Sequence, residues 1–307
     1  MVSVVIASFD RFERLMACIR SVVSSGPQPE GGLQLIVVTS TYSVSEVAAI
    51  ELAGAKVLRL PARTLASAAH NTGAAAAVGK HLLFLDDDNV VAADAIWRLS
   101  RALAAWSDAV LLGPVMYYGS APDQIWCAGV ARSSVLMRTT LKTWLPNPIP
   151  DRIPSEDFPN CFIVRREDFD LVGGFDDVRF PHHMAESDFA RRLARKTGRN
   201  VYCVPRAKVW HFIGHSLLRR LHMQDSQRAY LVSRDRTVYA ALYGNRVQWF
   251  VFLSIGQWAL ATGYLGAILL QRANNWTAIM TAYLKGMYSG LRLGIGARRS
   301  ERHAGRH

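Results

Sequence analysis

Residues 82–89 read Leu-Leu-Phe-Leu-Asp-Asp-Asp-Asn, a continuous apolar run that ends abruptly in three acids, Asp86, Asp87 and Asp88. A short run of this kind is typical of a strand buried on both faces of a parallel sheet, and ligands bind beyond the carboxyl ends of such strands. Three adjacent carboxylates repel one another unless a cation lies among them, and an oxygen-only cluster suits Mg²⁺ or Mn²⁺ together with phosphate oxygens. The octapeptide therefore predicts a metal-dependent site for a phosphorylated ligand. The alternative is an acidic turn that caps the next helix.

The segments around this strand alternate between strand-like and helix-like patterns. Apolar runs predict strands at residues 2–7, 33–38, 56–60, 81–85 and 109–116, and helical patterns predict helices at 11–25, 44–53, 64–79 and 92–106. Strands that alternate with helices indicate an α/β fold with a mostly parallel, doubly wound sheet. The proline-rich residues 144–159 predict a loop that crosses between two parts of this domain.

Charge divides the chain of 307 residues into unlike halves. Residues 190–307 contain 20 Lys and Arg against 3 acids, a net of +17, which leaves −5 for residues 1–189 of a chain whose net charge is +12. A basic half of this kind suggests an anionic partner, either nucleic acid or membrane, and the apolar residues 247–295 favour membrane over nucleic acid. The four separated cysteines predict no zinc ribbon or disulfide scaffold, and the N-terminal run shows no secretory signal.

Residues 247–271 form an uncharged stretch of 25 positions, long enough to cross a bilayer. A second apolar stretch, residues 276–296, contains Gly286, Gly290 and Gly294, whose spacing permits close helix contact. If only the first stretch crossed, the basic tail would lie outside, against the positive-inside rule. We therefore expect interfacial or shallowly embedded helices at the cytoplasmic face of a membrane. A transmembrane hairpin and ordinary soluble packing are the alternatives.

Four further segments accompany the acid cluster. They are Val4-Val5-Ile6-Ala7-Ser8-Phe9-Asp10-Arg11, then His70-Asn71-Thr72-Gly73, then Arg165-Arg166 with Val172-Gly173-Gly174-Phe175-Asp176, and finally His211-Phe212-Ile213-Gly214-His215-Ser216. In this order, over residues 2–216, the five pieces resemble the family 2 glycosyltransferases, which have the GT-A fold, and among them a rhamnosyltransferase-like branch. The resemblance implies a catalytic domain at 1–216, with a nucleotide-sugar half at about 1–115 and an acceptor half at about 116–216. A membrane-associating helical region at 217–296 and a basic tail at 297–307 would follow.

The resemblance implies an inverting transfer of one hexosyl or deoxyhexosyl group from a nucleotide-diphosphate sugar to a hydroxyl of a glycan or lipid-linked acceptor. Mn²⁺ or Mg²⁺ would neutralise the charge that grows on the leaving diphosphate. The implied metal ligands are Asp88, Asp86 and His211. The implied donor-binding residues are Ala7, Ser8, Phe9, Arg11, Thr39, Asn71, Gly73, Asp86 and Asp87. The implied acceptor-side residues are Gly173, Gly174, Phe175 and Asp176.

The tetrapeptide Ala185-Glu186-Ser187-Asp188 stands where the family shows Glu-Asp-x-Asp at the start of a helix. Aligned in this way, Glu186 takes the position of the catalytic base, and Asp188 is the substitute candidate. Acids in a first helical turn also simply complement the helix dipole. Thr39 replaces an Asp that often ends the family's second strand, so the donor base stays open among uracil, guanine and deoxythymidine.

Two other functions stay open at this stage. A nucleotidyltransferase would need a phosphate loop rich in glycine and lysine, and residues 7–14 contain neither. A non-catalytic, membrane-bound sugar-nucleotide-binding protein would explain the neutral Ala185 and Thr39 as signs of decayed activity. Release of a nucleoside diphosphate in the presence of an acceptor would separate the enzyme from this sensor.

Overall fold

A computed structural model describes residues 1–62, 64–133, 136–213, 218, 221 and 223–304, and the side chains of 299–304 are not described. Gly214, His215 and Ser216 of the last sequence motif lie outside these residues. The chain forms two compact units. The first comprises Met1–Ala131, Leu141–Asp177 and Ala185–Ile213, and the second comprises Arg132–Thr140, Val178–Met184 and Gly214–His307.

The predicted strands and helices of the N-terminal half are all present, with ends shifted by a few residues. The strands of the chain are β1 (Val2–Ala7), β2 (Leu33–Thr39), β3 (Lys56–Arg59), β4 (His81–Asp86), β5 (Asn89–Val91), β6 (Ala109–Tyr118), β7 (Ala121–Cys127), β8 (Val130–Arg132), β9 (Thr139–Leu141), β10 (Ile153–Ser155), β11 (Cys161–Arg165) and β12 (Asn200–His211). The helices of the first unit are α1 (Phe12–Val23), α2 (Val44–Leu52), α3 (Ala66–Ala76), α4 (Ala95–Ala105), α5 (Arg166–Leu171) and α6 (Ala185–Thr197).

Ten of the strands form one mixed sheet in the order β10-β12-β6-β11-β4-β1-β2-β3, with β5 paired to β12 and β7 paired to β6. The pairs β4–β1, β1–β2, β2–β3 and β12–β6 are parallel, whereas β11 runs antiparallel between β4 and β6. The apolar residues of β4 are buried on both faces, as the sequence predicts. The α/β fold with a mostly parallel central sheet is therefore confirmed, and the reversed β11 is an addition that local patterns do not show.

Two residues of the sequence motifs hold α3 close to the sheet. A Cβ atom on Gly73 would lie 2.3 Å from Val5 Cγ1, so only glycine permits this approach of helix to strand. At the C-terminal end of α3, the Arg166 guanidinium donates to the carbonyls of Ala74 and Ala77, at 3.2 and 2.8 Å. These bonds satisfy carbonyl groups at the helix end and fix the chain that enters β4.

The second unit is helical in its C-terminal part. Its helices are α7 (Ser226–Tyr243), α8 (Arg246–Val251), a π-helical turn (Phe252–Gly256), α9 (Gln257–Leu270) and α10 (Trp276–Ala304). A Cβ on Gly286 would lie 2.3 Å from the carbonyl oxygen of Tyr230, and a Cβ on Gly290 would lie 2.5 Å from that of Arg234. The glycines therefore bring α10 against α7, as their spacing predicts.

One stretch among the described residues, Arg246–Leu270, is long and apolar enough to cross a membrane. It has 25 residues and a mean hydropathy of 1.4, and 33% of its most apolar window is buried. Length and composition alone do not separate a membrane helix from a core helix of a soluble protein.

Candidate active site

The middle acid of the cluster, Asp87, is a buried anchor. Its Oδ2 atom accepts a hydrogen bond of 2.6 Å from the Ser8 hydroxyl, and its Oδ1 atom lies 2.5 Å from Arg11 Nη2. The Ser8 hydroxyl also lies 2.6 Å from the hydroxyl of Tyr42. Burial raises the pKa of Asp87 to about 6, although Arg11 and Ser8 oppose this rise. Asp87 thus fastens the end of β4 to the turn after β1, where Asp10 has a φ of 64°.

The last acid, Asp88, faces a histidine. Its Oδ2 atom lies 2.6 Å from Arg11 Nη1, and its Oδ1 atom lies 3.4 Å from His211 Nε2. Burial acts to raise the pKa of Asp88, but the hydrogen bonding and charge of His211 and Arg11 lower it well below its usual value. Asp88 is therefore a carboxylate at neutral pH. Among the described residues, this 3.4 Å contact with His211 falls short of good hydrogen-bond geometry, and the buried Oδ1 atom makes no other hydrogen bond.

The register of one strand pair brings His211 to Asp88. Strands β5 and β12 are antiparallel, with His211 opposite Asn89, and the Phe212 amide donates to the Asp88 carbonyl at 2.9 Å. The His211 ring lies edge-to-face with Trp126, at 4.4 Å between ring centres. These contacts fix the imidazole against the acid cluster although the two are far apart in sequence.

Asn160 and Trp126 are neighbours of His211 that the sequence interpretation missed. The Asn160 amide nitrogen lies 3.0 Å from His211 Nε2, and its backbone carbonyl accepts from the Asp86 amide at 2.9 Å. Asn160 has a φ of 63°, a conformation that asparagine tolerates better than most residues. A lone asparagine after a proline gave no local signal of this position, because β11 reaches β4 only in the folded sheet.

The two candidate bases lie in different environments. Asp188 is 2% exposed and its Oδ2 atom lies 2.8 Å from Arg192 Nε, while Arg192 Nη1 also donates to the Val172 carbonyl. Asp188 is thus held in an ion pair. Burial raises the pKa of Glu186 to about 7. Burial is also the main cause of the raised pKa of Asp86, and the charges of Asp88 and then Glu186 add to it. Asp188, by contrast, is fixed to its own helix.

Comparison with known proteins assigns the chain to a family. Residues 3–171 match the family model described as Glycosyl transferase family 2, which is more than half of the chain. The chain belongs to glycosyl transferase family 2. A search of curated proteins finds no match.

Two solved structures share the fold of this chain. The structure of GalNAc-T7 with UDP, GalNAc and Mn²⁺ superimposes with a TM-score of 0.59 and 17% identity, over 82% of this chain and 54% of that one. The chain thus spans about half the length of GalNAc-T7. The mannosyltransferase PcManGT from Pyrobaculum calidifontis, in complex with GDP-Man and Mn²⁺, superimposes with a TM-score of 0.57 and 13% identity, over 94% of this chain and 86% of that one. At these identities the likeness shows the GT-A fold.

The residues present at the end of β4 fit a divalent cation in part. The described residues hold no group of three or more His, Cys, Asp and Glu side chains arranged to bind a metal. They do hold a carboxylate oxygen and an imidazole nitrogen 3.4 Å apart, at Asp88 and His211. These atom types suit Mn²⁺. Oxygen atoms of a nucleotide-sugar donor would then fill the remaining coordination positions. Asp86 does not complete a three-residue group, and its part in metal or donor binding stays a prediction.

Several predicted donor-binding residues make structural contacts within the first unit. Asn71 Oδ1 accepts a hydrogen bond from the Phe175 amide, and Asn71 Nδ2 donates one to the Phe175 carbonyl, both at 2.9 Å. Thr39 is fully buried at the end of β2, where its hydroxyl accepts from the Thr41 amide at 3.4 Å. Ala7 and Phe9 are partly exposed beside the buried Ser8. Donor contact by these residues stays a prediction.

The predicted acceptor-side residues form a tight turn above the aromatic core. Gly173 and Gly174 have φ values of 73° and 72°, and a Cβ on Gly174 would lie 2.7 Å from Asn71 Oδ1, so glycine is required. Phe175 is 3% exposed and stacks on Phe189 with ring centres 4.6 Å apart. Asp176, the next residue, is partly exposed. The turn is fixed by packing, and acceptor contact by its residues stays a prediction.

Proposed function

We propose that this protein transfers one sugar, with inversion, from a nucleotide-diphosphate donor to an acceptor hydroxyl, with Glu186 as the base. The observation that carries the proposal is the Asp88 carboxylate facing the His211 imidazole at the end of β4. A hexosyl or deoxyhexosyl donor of the kind a rhamnosyltransferase uses is one version of this activity.

The residues of the site have separate roles in the proposed reaction. Asp88 and His211 would hold Mn²⁺ or Mg²⁺, which, when bound, supplies positive charge for the leaving diphosphate. Asp87 and Ser8 hold the strand end in place through their hydrogen bond of 2.6 Å. A carboxyl with a pKa of about 7, as in Glu186, is matched to accept a hydroxyl proton near neutral pH.

Nucleoside diphosphate release and donor binding test the proposal. UDP-, GDP- and dTDP-sugars are incubated with acceptor candidates and Mn²⁺ or Mg²⁺, and donor binding is followed as thermal stabilisation. Asp88→Asn should lose metal-dependent donor binding, because the charge facing the cation is removed. The matched control is Asp94→Asn, whose carboxylate pairs with Arg98 at 2.7 Å.

Unchanged donor affinity of Asp88→Asn in the presence of metal would contradict the site. Metal-dependent binding by the wild type without any diphosphate release would instead support the sugar-nucleotide sensor.

We further infer that the protein acts at the cytoplasmic face of a membrane on a lipid-linked or cell-surface glycan. Along Arg246–Leu270, large apolar side chains are exposed, among them Phe250 at 70% and Leu270 at 79%. Exposed apolar residues beside basic ones favour a lipid surface with anionic head groups. An acceptor held in that surface would suit an enzyme bound to it.

Vesicle flotation tests this inference. The full chain should float with vesicles that contain phosphatidylglycerol, and a chain without residues 247–307 should stay in solution. Phe250→Ser should weaken binding, whereas Leu52→Ser, which replaces an apolar residue of the first unit that is 92% exposed, should not. Removal of the full-length protein from vesicles by salt alone would argue against embedded helices.

A further inference from the structure

One short loop of the first unit, residues 155–160, contacts two separate parts of the candidate site. At its end, just before β11, the Asn160 amide nitrogen lies 3.0 Å from His211 Nε2. In its middle, the Asp157 Oδ2 atom accepts a hydrogen bond of 2.5 Å from the Ser187 hydroxyl, in the first turn of α6. Ser187 directly follows Glu186, so the loop reaches the proposed base through its neighbour in the chain. All of these residues belong to the first unit.

The loop itself is held firmly by its neighbours in the first unit. The Ser155 hydroxyl accepts from the Val130 amide at 2.8 Å and donates to the Asp157 carbonyl at 2.7 Å. Phe158 is fully buried against β6 at Gly113, where a Cβ atom would lie 2.1 Å from the phenyl ring. The backbone on both sides of Asp157 is therefore fixed, and a group that bonds to its carboxylate is held relative to the sheet.

Asp157 is a buried carboxylate beside the first turn of α6. Asp157 is 2% exposed and Ser187 is 7% exposed, so water does not compete for their hydrogen bond. The positive end of the helix dipole also favours a negative charge at this position. Burial is the main cause of the raised pKa of Glu186. A hydrogen bond from the backbone of Glu186 opposes this rise, and the charge of Asp157 adds to it. The two carboxyl groups are therefore close enough to interact.

We propose that Asp157 is a positioning residue for Glu186. Through the Ser187 hydroxyl it fixes the first turn of α6 against the loop, and thereby the direction in which Glu186 presents its carboxylate. This role rests on the proposed function, in which Glu186 is the base. Asp157 does not need to touch donor or acceptor, because a reacting group displaced by about 1 Å can lose about 100-fold in rate.

The experiment compares Ser187→Ala, Asp157→Ala and the double variant with the wild type in the full chain. Each single change should lower the turnover number by about 10-fold or more. The double variant should fall no further than the less active single variant, because both changes remove the same hydrogen bond. The KM for the nucleotide sugar and its Mn²⁺-dependent thermal stabilisation should stay near wild type. Asp157→Asn keeps an acceptor oxygen for the Ser187 hydroxyl and should recover most of the turnover.

Hydrogen exchange measures the position of α6 without reference to activity. Exchange should rise in Ser187→Ala in peptides that cover residues 185–192, because the hydrogen bond that holds the first turn is lost. Ser187→Ala removes a single oxygen atom, so it carries the test if Asp157→Ala fails to fold.

The matched control is Thr197→Val, which removes a hydrogen bond of 2.8 Å to the Leu193 carbonyl at the other end of α6. It should change neither the turnover number nor the exchange of residues 185–192. Wild-type turnover in Ser187→Ala, additive losses in the double variant, or a rise in KM with unchanged turnover would each overturn the positioning role. If the wild type releases no nucleoside diphosphate from any donor, the proposed function itself fails. Unchanged exchange of residues 185–192 in Ser187→Ala would then still overturn the anchoring of α6 by Asp157.

Discussion

The substitution Glu186→Gln gives the sharpest test of the proposed base, because it should remove activity and raise stability together. The unfolded chain has an ordinary glutamate pKa of 4.5 at this position, and the folded protein raises it to about 7 through burial. The folded protein thus holds the proton more tightly than the unfolded chain. The stability that this group contributes is fully present below pH 4.5 and is lost as the pH rises through about 7.

The size of the effect follows from the two pKa values. At about 1.4 kcal/mol per pKa unit, the rise from 4.5 to about 7 corresponds to about 3 kcal/mol of stability lost by the wild type at alkaline pH. The Glu186 side chain keeps some solvent exposure, so this value is an upper limit. Glutamine cannot ionise, and the variant should therefore be more stable than the wild type at about pH 8 and little changed at about pH 5.

Denaturant unfolding at the two pH values measures the stability difference, and diphosphate release measures activity. Donor affinity should stay near wild type, because the substitution removes proton acceptance and little else. Glu167→Gln, on an exposed glutamate of α5, is the matched control and should change neither quantity. Asp188→Asn should lower stability at both pH values, because it breaks the ion pair with Arg192. An active Glu186→Gln variant would exclude Glu186 as the base, and a variant less stable than the wild type at alkaline pH would contradict the raised pKa of Glu186.

Three further predictions concern residues outside the base. Asn160→Ala should weaken Mn²⁺ affinity about 10-fold with little change in unfolding, since Asn160 orients His211 from 3.0 Å; equal affinity in a metal titration would exclude this role. Gly290→Ala should destabilise the protein by more than about 1 kcal/mol in denaturant unfolding, because its Cβ would meet the Arg234 carbonyl oxygen at 2.5 Å. Gly296→Ala, with no atom of the described residues within 4 Å of its Cβ, should stabilise α10 by up to about 1 kcal/mol, and it serves as the control for Gly290→Ala.

Local patterns in the sequence predicted the strands β1 to β4 and β6 and the helices α1 to α4 of the first unit. The strands β1, β2 and β4 are short apolar runs whose side chains are buried, and such runs have few other folded environments. The acids of residues 86–88 lie at the end of β4 because the apolar run stops there. The glycines at 286, 290 and 294 predicted close helix packing, because their spacing places them on one face of α10.

The different contacts of the acidic residues could be predicted only in part from the sequence. Asp87 turns inward to Ser8 and Arg11, whereas Asp88 faces His211. Alternation of side chains along an extended chain separates the middle acid from its neighbours, but it does not tell which side holds the partner. Glu186 and Asp188 are two residues apart but have different environments, because Arg192 forms an ion pair with Asp188.

The amino-acid sequence specifies the chemical groups and their local settings: an acid cluster after a buried strand, two acids in the first turn of α6, and an apolar, basic C-terminal part. Which of these groups meet depends on the folded sheet. His211 reaches Asp88 through the register of β5 with β12, and Asn160 reaches His211 because β11 pairs with β4 in reverse. Such pairings depend on how strands distant in the sequence bury their faces together, and no local window of sequence contains that information.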